Sequence, residues 1–123
     1  MMGSARKELG AWGEEVATQY LMEKGYRILA RNWKTKIGEI DIVAQDRVAI
    51  VFVEVKTRQS TRYGYAEEAV GFKKQQTLRQ LARSYLRYTH QDGAHYRIDV
   101  IAIMPALVGA PPEIRHIIDA VGD

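Results

Sequence analysis

The 123-residue sequence contains no cysteine, which excludes both a disulfide framework and a thiolate metal site. It has no apolar run long enough to cross a membrane, and its first residues, MMGSARKE, lack the apolar segment of a signal peptide. We therefore expect a cytoplasmic protein without a membrane partner. A chain of this length without repeats or low-complexity tracts normally forms one domain. We assign residues 1–123 to a single domain, with residues 1–6 as a flexible tail and residues 105–123 as a C-terminal loop and short edge strand.

Net charge is also low, since 18 basic and 15 acidic residues give only +3 at pH 7. Bulk charge is therefore weak evidence for a nucleic-acid partner. Its distribution is more informative, because residues 69–91 include five basic side chains and no acidic one. The last three of these, spaced four apart on a predicted helix, form a ridge that fits either a solvated helix face or a DNA contact. The five are Lys73, Lys74, Arg79, Arg83 and Arg87.

The most informative stretch, residues 37–58, predicts a β-hairpin. Two runs rich in β-branched residues, 38–44 and 49–55, flank the polar turn Gln45-Asp46-Arg47. The second run is apolar on both faces, as expected for a strand at the centre of a sheet, yet its end reads Glu54-Val55-Lys56. A charge at the edge of a core is costly unless it is paired or bound to a metal ion. These charges therefore need an explanation.

Two interpretations of the charges are open. Glu54 and Lys56 could form a structural ion pair at a strand end, with Asp41 as a solvated charge. Alternatively, Asp41 and Glu54 could be oxygen ligands of a divalent cation, with Lys56 serving the chemistry beside it. A hairpin of this length can bring both carboxylates to the same end of the sheet, which favours the second interpretation.

Apolar residues at three- and four-residue spacing predict a first helix over residues 7–24. Glu14 borders its buried stripe, and Trp12 is predicted to lie in the core. Gly10 and Gly13 lower helix stability, which indicates close packing of this helix against the sheet. The remaining patterns predict strands at 26–33 and 96–104, a second helix at 71–88 and a short edge strand at 113–118.

The element order α-β-β-β-α-β, followed by a terminal strand, predicts an α/β fold with a central mixed sheet flanked by helices. The strand at 96–104 follows a helix and is therefore predicted to run parallel to the central strand. It carries Asp99, for which a structural pairing with Arg97 is favoured over metal binding. The histidines show no ligand spacing and are assigned no role. They are His90, His95 and His116.

Asp41 followed by Glu54-Val55-Lys56 resembles the motif of the PD-(D/E)xK nuclease superfamily, with Ile40 in place of the proline. More closely, residues 8–104 resemble the bacterial YraN family, predicted endonucleases that are similar to archaeal Holliday-junction resolvases. This resemblance implies a restriction-endonuclease-like core. The matching residues are Gly10, Gly13, Glu14, Ala17, Asn32, 38–41, 52–58, Gly64, Ala69, Val70, Lys74, Arg97 and Asp99.

The same resemblance implies the chemistry of the site. Asp41, Glu54 and the Val55 carbonyl would hold Mg²⁺ or Mn²⁺. Glu14 would complete the site from the first helix, and Lys56 would orient or deprotonate the attacking water. The side chains predicted to contact nucleic acid are Arg58, Lys74, Lys73, Lys36 and Tyr63.

The expected function is that of a metal-dependent endonuclease that hydrolyses phosphodiester bonds in DNA, with branched, Holliday-junction-like DNA as one candidate substrate. By analogy with resolvases, a homodimer is expected. Two alternatives stay open. One is a nucleic-acid-binding module of the same fold with little or no catalysis, and the other is a protein-interaction domain in which the carboxylates are structural.

Overall fold

The fold is built on a mixed sheet of five strands. The computed structural model describes residues 2–58 and 70–122, with side chains from residue 7 onwards. All the predicted elements are present in the predicted order, which confirms an α/β fold with a mixed sheet and two helices. The elements are α1 (Met2–Glu23), β1 (Arg27–Thr35), β2 (Gly38–Gln45), β3 (Ile50–Thr57), α2 (Phe72–Tyr88), β4 (Tyr96–Met104) and β5 (Glu113–Ile117).

The strands follow each other across the sheet in chain order, β1-β2-β3-β4-β5. The first three strands pair antiparallel, and β3 then pairs in parallel with β4. This confirms the direction predicted for β4, because the helix α2 between them returns the chain to the starting end of the sheet. β5 pairs antiparallel with β4 and forms one edge, as predicted for the C-terminal strand.

β3 separates two hydrophobic clusters, one on each face of the sheet. Ile50 and Phe52 belong to the cluster under α2, whereas Val51 and Val53 belong to the cluster under α1. All four are at most 2% exposed, and burial of each side chain stabilises the fold by about 1.5–3 kcal/mol. β3 is therefore the doubly covered central strand that its sequence predicts.

α1 packs on the sheet through Ala17 and Leu21, which are fully buried. The helix begins at Met2, ahead of the predicted start at residue 7, and so extends through the segment 2–6. Trp12 is 37% exposed, so its predicted place in the core is wrong. The face that α1 turns to the sheet carries Gly13, Ala17 and Leu21, and the indole of Trp12 lies outside it. Neither α1 nor α2, within the described ranges, is both long and apolar enough to span a membrane.

Gly13 is a point of close contact between α1 and the sheet. A Cβ atom added at Gly13 would lie 1.9 Å from the hydroxyl oxygen of Thr57 on β3, far inside van der Waals contact. Close packing of α1 against the sheet is thus confirmed at Gly13. Gly10 is different, because a Cβ atom there would meet no described atom within 4 Å. One glycine therefore sets the distance between helix and sheet.

Candidate active site

Asp41 on β2 and Glu54 on β3 come together where the two strands part. The paired register ends at Ile42 and Val53, so each carboxylate is the next residue along its strand. Both residues are buried, with exposed fractions of 8% for Asp41 and 6% for Glu54. The hairpin therefore places both carboxylates at the same end of the sheet. The alternative in which Asp41 is a solvated charge does not hold.

Asp41 has a strongly perturbed acidity. Burial raises its pKa, and repulsion from Glu54 raises it further, to about 7. The Val55 N–H opposes this shift by donating a hydrogen bond of 2.8 Å to Asp41 Oδ2. Asp41 therefore keeps its proton to a much higher pH than an ordinary aspartate does. A carboxylate in a cleft with such a shift is typical of functional sites.

Two lysines form ion pairs with Glu54. Lys56 Nζ lies 3.8 Å from Glu54 Oε1, and Lys74 Nζ lies 3.3 Å from Glu54 Oε2. Lys56 follows on the same strand, while Lys74 comes from the first turn of α2, which carries no acidic residue. A cation at a helix N-terminus opposes the helix dipole, and the buried carboxylate compensates for that unfavourable position. The predicted pairing of Glu54 with Lys56 therefore forms only part of the ion cluster.

Glu14 reaches the same region from α1 and is half-buried. Burial raises its pKa, hydrogen bonding to the Asn32 side chain partly offsets that rise, and repulsion from Glu39 adds to it. Glu54 adds a smaller repulsion. The carboxylates of Glu14 and Glu54 are therefore close enough to repel each other, although the two residues lie forty positions apart on different elements.

Asn32 is a site residue for which the sequence analysis gave no role. It lies on β1 with a φ of +51°, in the left-handed region that non-glycine residues rarely adopt. Asparagine tolerates this conformation better than most residues, and strained backbone of this kind clusters at functional sites. The one signal in the sequence was the family resemblance at this position.

The carboxylates line an open cleft of about 470 Å³. Its lining contains Glu14, Asp41, Glu54, Val55 and Arg58, five of the residues predicted for the site. The cleft is completed by Leu9, Gly10 and Thr57. Lys56 and Lys74 join this group through their ion pairs with Glu54.

The donor set of the cleft fits a hard divalent cation in its chemistry. Carboxylate and carbonyl oxygens are the ligands that Mg²⁺ and Mn²⁺ prefer, and a cation between Asp41 and Glu54 would relieve their mutual repulsion. Over residues 2–58 and 70–122, however, no three histidine, aspartate or glutamate side chains are grouped closely enough to form a complete metal site. The fold brings Asp41 and Glu54 together as a pair, and Glu14 lies further away.

The other predicted DNA contacts are less well defined by the structure. Lys73 is exposed on α2, and Lys36 is exposed in the turn between β1 and β2. Neither of them is among the described residues that line the cleft. Tyr63 lies outside the described residues.

Asp99 is the centre of a second polar cluster, on β4. It is fully buried, and Arg97 Nε donates a hydrogen bond of 3.0 Å to its Oδ1, which is the structural pairing that the sequence analysis favoured. His116 Nε2 lies 2.7 Å from Asp99 Oδ2, and the other ring nitrogen of His116 lies 3.1 Å from the Tyr20 hydroxyl. The guanidinium of Arg97 also pairs with Asp46 in the turn before β3. These contacts stabilise the junction of α1, β4 and β5.

His116 thus has a structural role that the sequence analysis missed. The residue is 17 positions from Asp99 and 96 positions from Tyr20, so no local spacing could have indicated the contact. Asp99 contacts His116 because β5 returns antiparallel beside β4, and Tyr20 reaches His116 from α1.

Comparison with known proteins adds the family. The model of the uncharacterised protein family UPF0102 matches residues 13–103. A UPF0102 protein of Syntrophomonas wolfei is 47% identical over 114 residues, which cover 93% of this chain and 97% of that protein. A UPF0102 protein of Rhodococcus opacus is 46% identical over 112 residues, covering 91% and 94%. The matched range includes the whole carboxylate and lysine cluster. The chain therefore belongs to the uncharacterised protein family UPF0102, the YraN-like family that its motifs resemble.

Proposed function

We propose that this protein is a metal-dependent endonuclease that hydrolyses phosphodiester bonds in DNA. The observation that supports the proposal best is the pair of buried carboxylates, Asp41 and Glu54, in an open cleft, with the pKa of Asp41 raised to about 7. Two buried carboxylates that repel each other lower the stability of the fold, so a function that needs them accounts for their presence. The restriction-endonuclease-like assignment of the fold is part of the same proposal, and rests on the element order and the motif.

Mg²⁺ or Mn²⁺ would be held by Asp41, Glu54 and the Val55 carbonyl, with Glu14 completing the site from α1. Such an ion, when bound, activates a water molecule and neutralises charge on the phosphate. The structure supports this donor set through the burial and repulsion of the two central carboxylates.

The basic residues of the site would act on the substrate itself. Lys56 lies beside Glu54, where its ammonium can hold the attacking water or stabilise developing negative charge. Lys74 and Arg58 would bind flanking phosphates, which position a nucleic acid without reading its sequence. Branched DNA as the substrate, a homodimeric assembly and a cytoplasmic location remain further parts of the proposal, supported by the resemblance and the composition alone.

A nucleic-acid-binding module of the same fold with little or no catalysis is the second candidate. It is favoured by how far the carboxylates are already engaged within the protein. Both oxygens of Glu54 face lysines, and Asp41 Oδ2 accepts the Val55 N–H. Under this alternative the carboxylates place the lysines for binding, and substitution of Asp41 or Glu54 leaves DNA affinity largely intact.

One gel experiment separates the two candidates. Purified protein is incubated with four-way junction, flap, duplex and single-stranded DNA, in Mn²⁺ or in EDTA. Glu54→Gln is the test variant, because it removes the charge and keeps the shape, and Glu113→Gln, at an exposed position on β5, is the matched control. We expect metal-dependent cutting by the wild type and the control and a loss of at least 100-fold in Glu54→Gln, an order of magnitude typical of groups that act on the transition state.

The other outcomes have equally definite meanings. Shifted bands without cutting, equal for all three proteins, would support the binding module. Cutting that persists in Glu54→Gln, or that survives EDTA, would contradict the proposed metal site. The absence of both cutting and binding on every substrate would exclude both candidates and leave the protein-interaction domain.

A further inference from the structure

The basic ridge of α2 is divided in the structure. Arg79 Nε donates a hydrogen bond of 2.7 Å to the Gly122 carbonyl, so this arginine attaches the C-terminal segment to the helix. Arg83 and Arg87, by contrast, are exposed and form no hydrogen bond or ion pair with the described residues. They line a groove of about 300 Å³. The three arginines therefore do not form one uniform solvated face.

The groove lies between the end of α2 and the segment that leads into β4. Asp92 is the one carboxylate among the described residues that line it, so the two guanidinium groups outweigh it in charge. Side chains four positions apart on a helix are about 6 Å apart, and the planar guanidinium fork is suited to phosphate oxygens. Arg83 and Arg87 can therefore bind neighbouring phosphates of one strand. The remaining lining residues are Leu86, Gly93, Ala94 and Tyr96.

α2 connects this groove to the candidate active site. Lys74 in its first turn contacts Glu54, and Arg87 lies thirteen residues further along, which corresponds to about 20 Å of helix. No acidic residue occurs between them. At about 3.4 Å per base pair, 20 Å is about six base pairs. Because each helical residue turns by about 100°, Arg83 and Arg87 lie about 180° and about 220° around α2 from Lys74. A duplex that contacts both sites must therefore cross α2 instead of following one of its faces.

We propose that the groove lined by Arg83 and Arg87 is a remote anchor for the phosphate backbone of a DNA duplex. This inference rests on the proposed function, since the same duplex would occupy the cleft. The groove binds backbone and does not read bases. Tyr96 supports this assignment because its ring packs edge-on against Phe52, with 5.8 Å between the ring centroids. The anchor sets where along the duplex the cleft lies, as phosphate contacts generally do.

The test measures DNA binding in EDTA, so that no cleavage is needed. Fluorescence anisotropy with a duplex of about 24 base pairs is recorded over a series of salt concentrations. The double variant Arg83→Gln/Arg87→Gln is compared with Lys24→Gln/Arg27→Gln. This control removes two positive charges from exposed positions, one directly after α1 and one at the first residue of β1. Urea unfolding of each variant checks that stability is unchanged.

We expect the groove variant to bind about tenfold more weakly at low salt, and the slope of log K against log salt to decrease by about 1.8, since each lost phosphate contact removes about 0.9. The matched control is expected to retain at least half of the wild-type affinity. Asp92→Asn is expected to bind more tightly than wild type, because it removes the carboxylate of the groove.

Equal weakening by the two double variants would overturn the anchor, because net charge alone would then explain the loss. An unchanged salt slope in the groove variant would overturn it as well. Cutting by the wild type in Mn²⁺, recorded in parallel, keeps the two proposals apart. If the wild type cuts DNA but the groove variant binds as tightly as the wild type, only the anchor is refuted. If the groove variant alone binds more weakly and no protein cuts, only the nuclease is refuted. If no protein binds DNA, both proposals are refuted.

Discussion

Asp41 shows how a single residue acquires its chemistry from its neighbours. Its pKa is raised from 3.8 to about 7 by burial and by Glu54. The folded protein therefore binds a proton more tightly at this position than the unfolded chain does. It follows that the folded state loses stability as pH rises from about 4 to about 7, and the loss is complete above that range. This pH dependence is the reverse of the one shown by an aspartate in an ordinary salt bridge.

We expect Asp41→Asn to remove this pH dependence in metal-free buffer. The amide oxygen can still accept the Val55 N–H, while the charge that repels Glu54 is gone. At about 1.4 kcal/mol per pKa unit, the shift from 3.8 to about 7 corresponds to a rise of roughly 4 kcal/mol in the free energy of unfolding at pH 8, and little change is expected at pH 4. Urea unfolding in EDTA at pH 4, 6 and 8 measures the effect.

Asp92→Asn, in the groove far from the cleft, serves as the control for this measurement and should leave the profile as in the wild type. If the wild type shows no fall in stability between pH 4 and pH 8, or if Asp41→Asn reproduces the wild-type fall, the perturbed acidity of Asp41 is refuted.

At the scale of elements, the position of α1 depends on a contact between Gly13 and Thr57. Because the helix carries Glu14 directly after this glycine, the same contact determines how close Glu14 comes to the cleft. A larger residue at position 13 must move the helix away from β3, and Glu14 with it. One turn of α1 therefore carries both the packing contact of Gly13 and the candidate site residue Glu14.

We expect Gly13→Ala to lower the free energy of unfolding by about 1–3 kcal/mol, because overpacking outweighs the gain in helix propensity. Gly10→Ala in the same helix is the matched control. With no described atom within 4 Å of its added Cβ, it should instead raise stability by up to about 1 kcal/mol. Thermal unfolding of both variants gives the comparison.

Thr57→Ala, combined with Gly13→Ala, should restore part of the lost stability, since it removes the hydroxyl oxygen that the new Cβ would meet at 1.9 Å. Opposite signs for the two glycine variants, with partial rescue, are the expected pattern. A stabilising Gly13→Ala would show that α1 does not lie against β3 as described.

For the whole molecule, the two central carboxylates make the free energy of unfolding depend on divalent cations in the solution. If a cation binds between Asp41 and Glu54 in the folded state only, Mn²⁺ must stabilise the whole domain. A concentration of about 100 times the dissociation constant contributes about 2.7 kcal/mol. For a domain of this size, this corresponds to an increase in Tm of roughly 10 °C.

We therefore expect Mn²⁺ to raise the Tm of the wild type and to leave Glu54→Gln and Asp41→Asn nearly unchanged. In EDTA, Asp41→Asn should be as stable as the wild type or more stable, whereas Glu54→Gln should gain less because it also loses the ion pairs with Lys56 and Lys74. Thermal melts of the three proteins with and without Mn²⁺ are sufficient. A clear loss of stability in both variants and both buffers would identify the carboxylates as structural, because breaking a buried ion pair costs about 3–5 kcal/mol.

The elements of this fold were predictable because their signals are local. Two runs of β-branched residues around a polar turn identify the hairpin of β2 and β3, and its length alone brings Asp41 and Glu54 to one end of the sheet. The helix between β3 and β4 likewise determines that these strands run parallel. The core of the candidate site follows from the order of the residues along the chain, since hairpin geometry depends on neighbours in sequence.

Local sequence patterns therefore predict the element order, the central strand and the two carboxylates that the hairpin brings together. The packed fold was needed to show that Lys74 pairs with Glu54, that Trp12 lies outside the core, and that His116 contacts Asp99. It also raised the pKa of Asp41 and divided the arginine ridge of α2. These features depend on burial and on contacts between distant parts of the chain, which arise only when helices and sheet pack together.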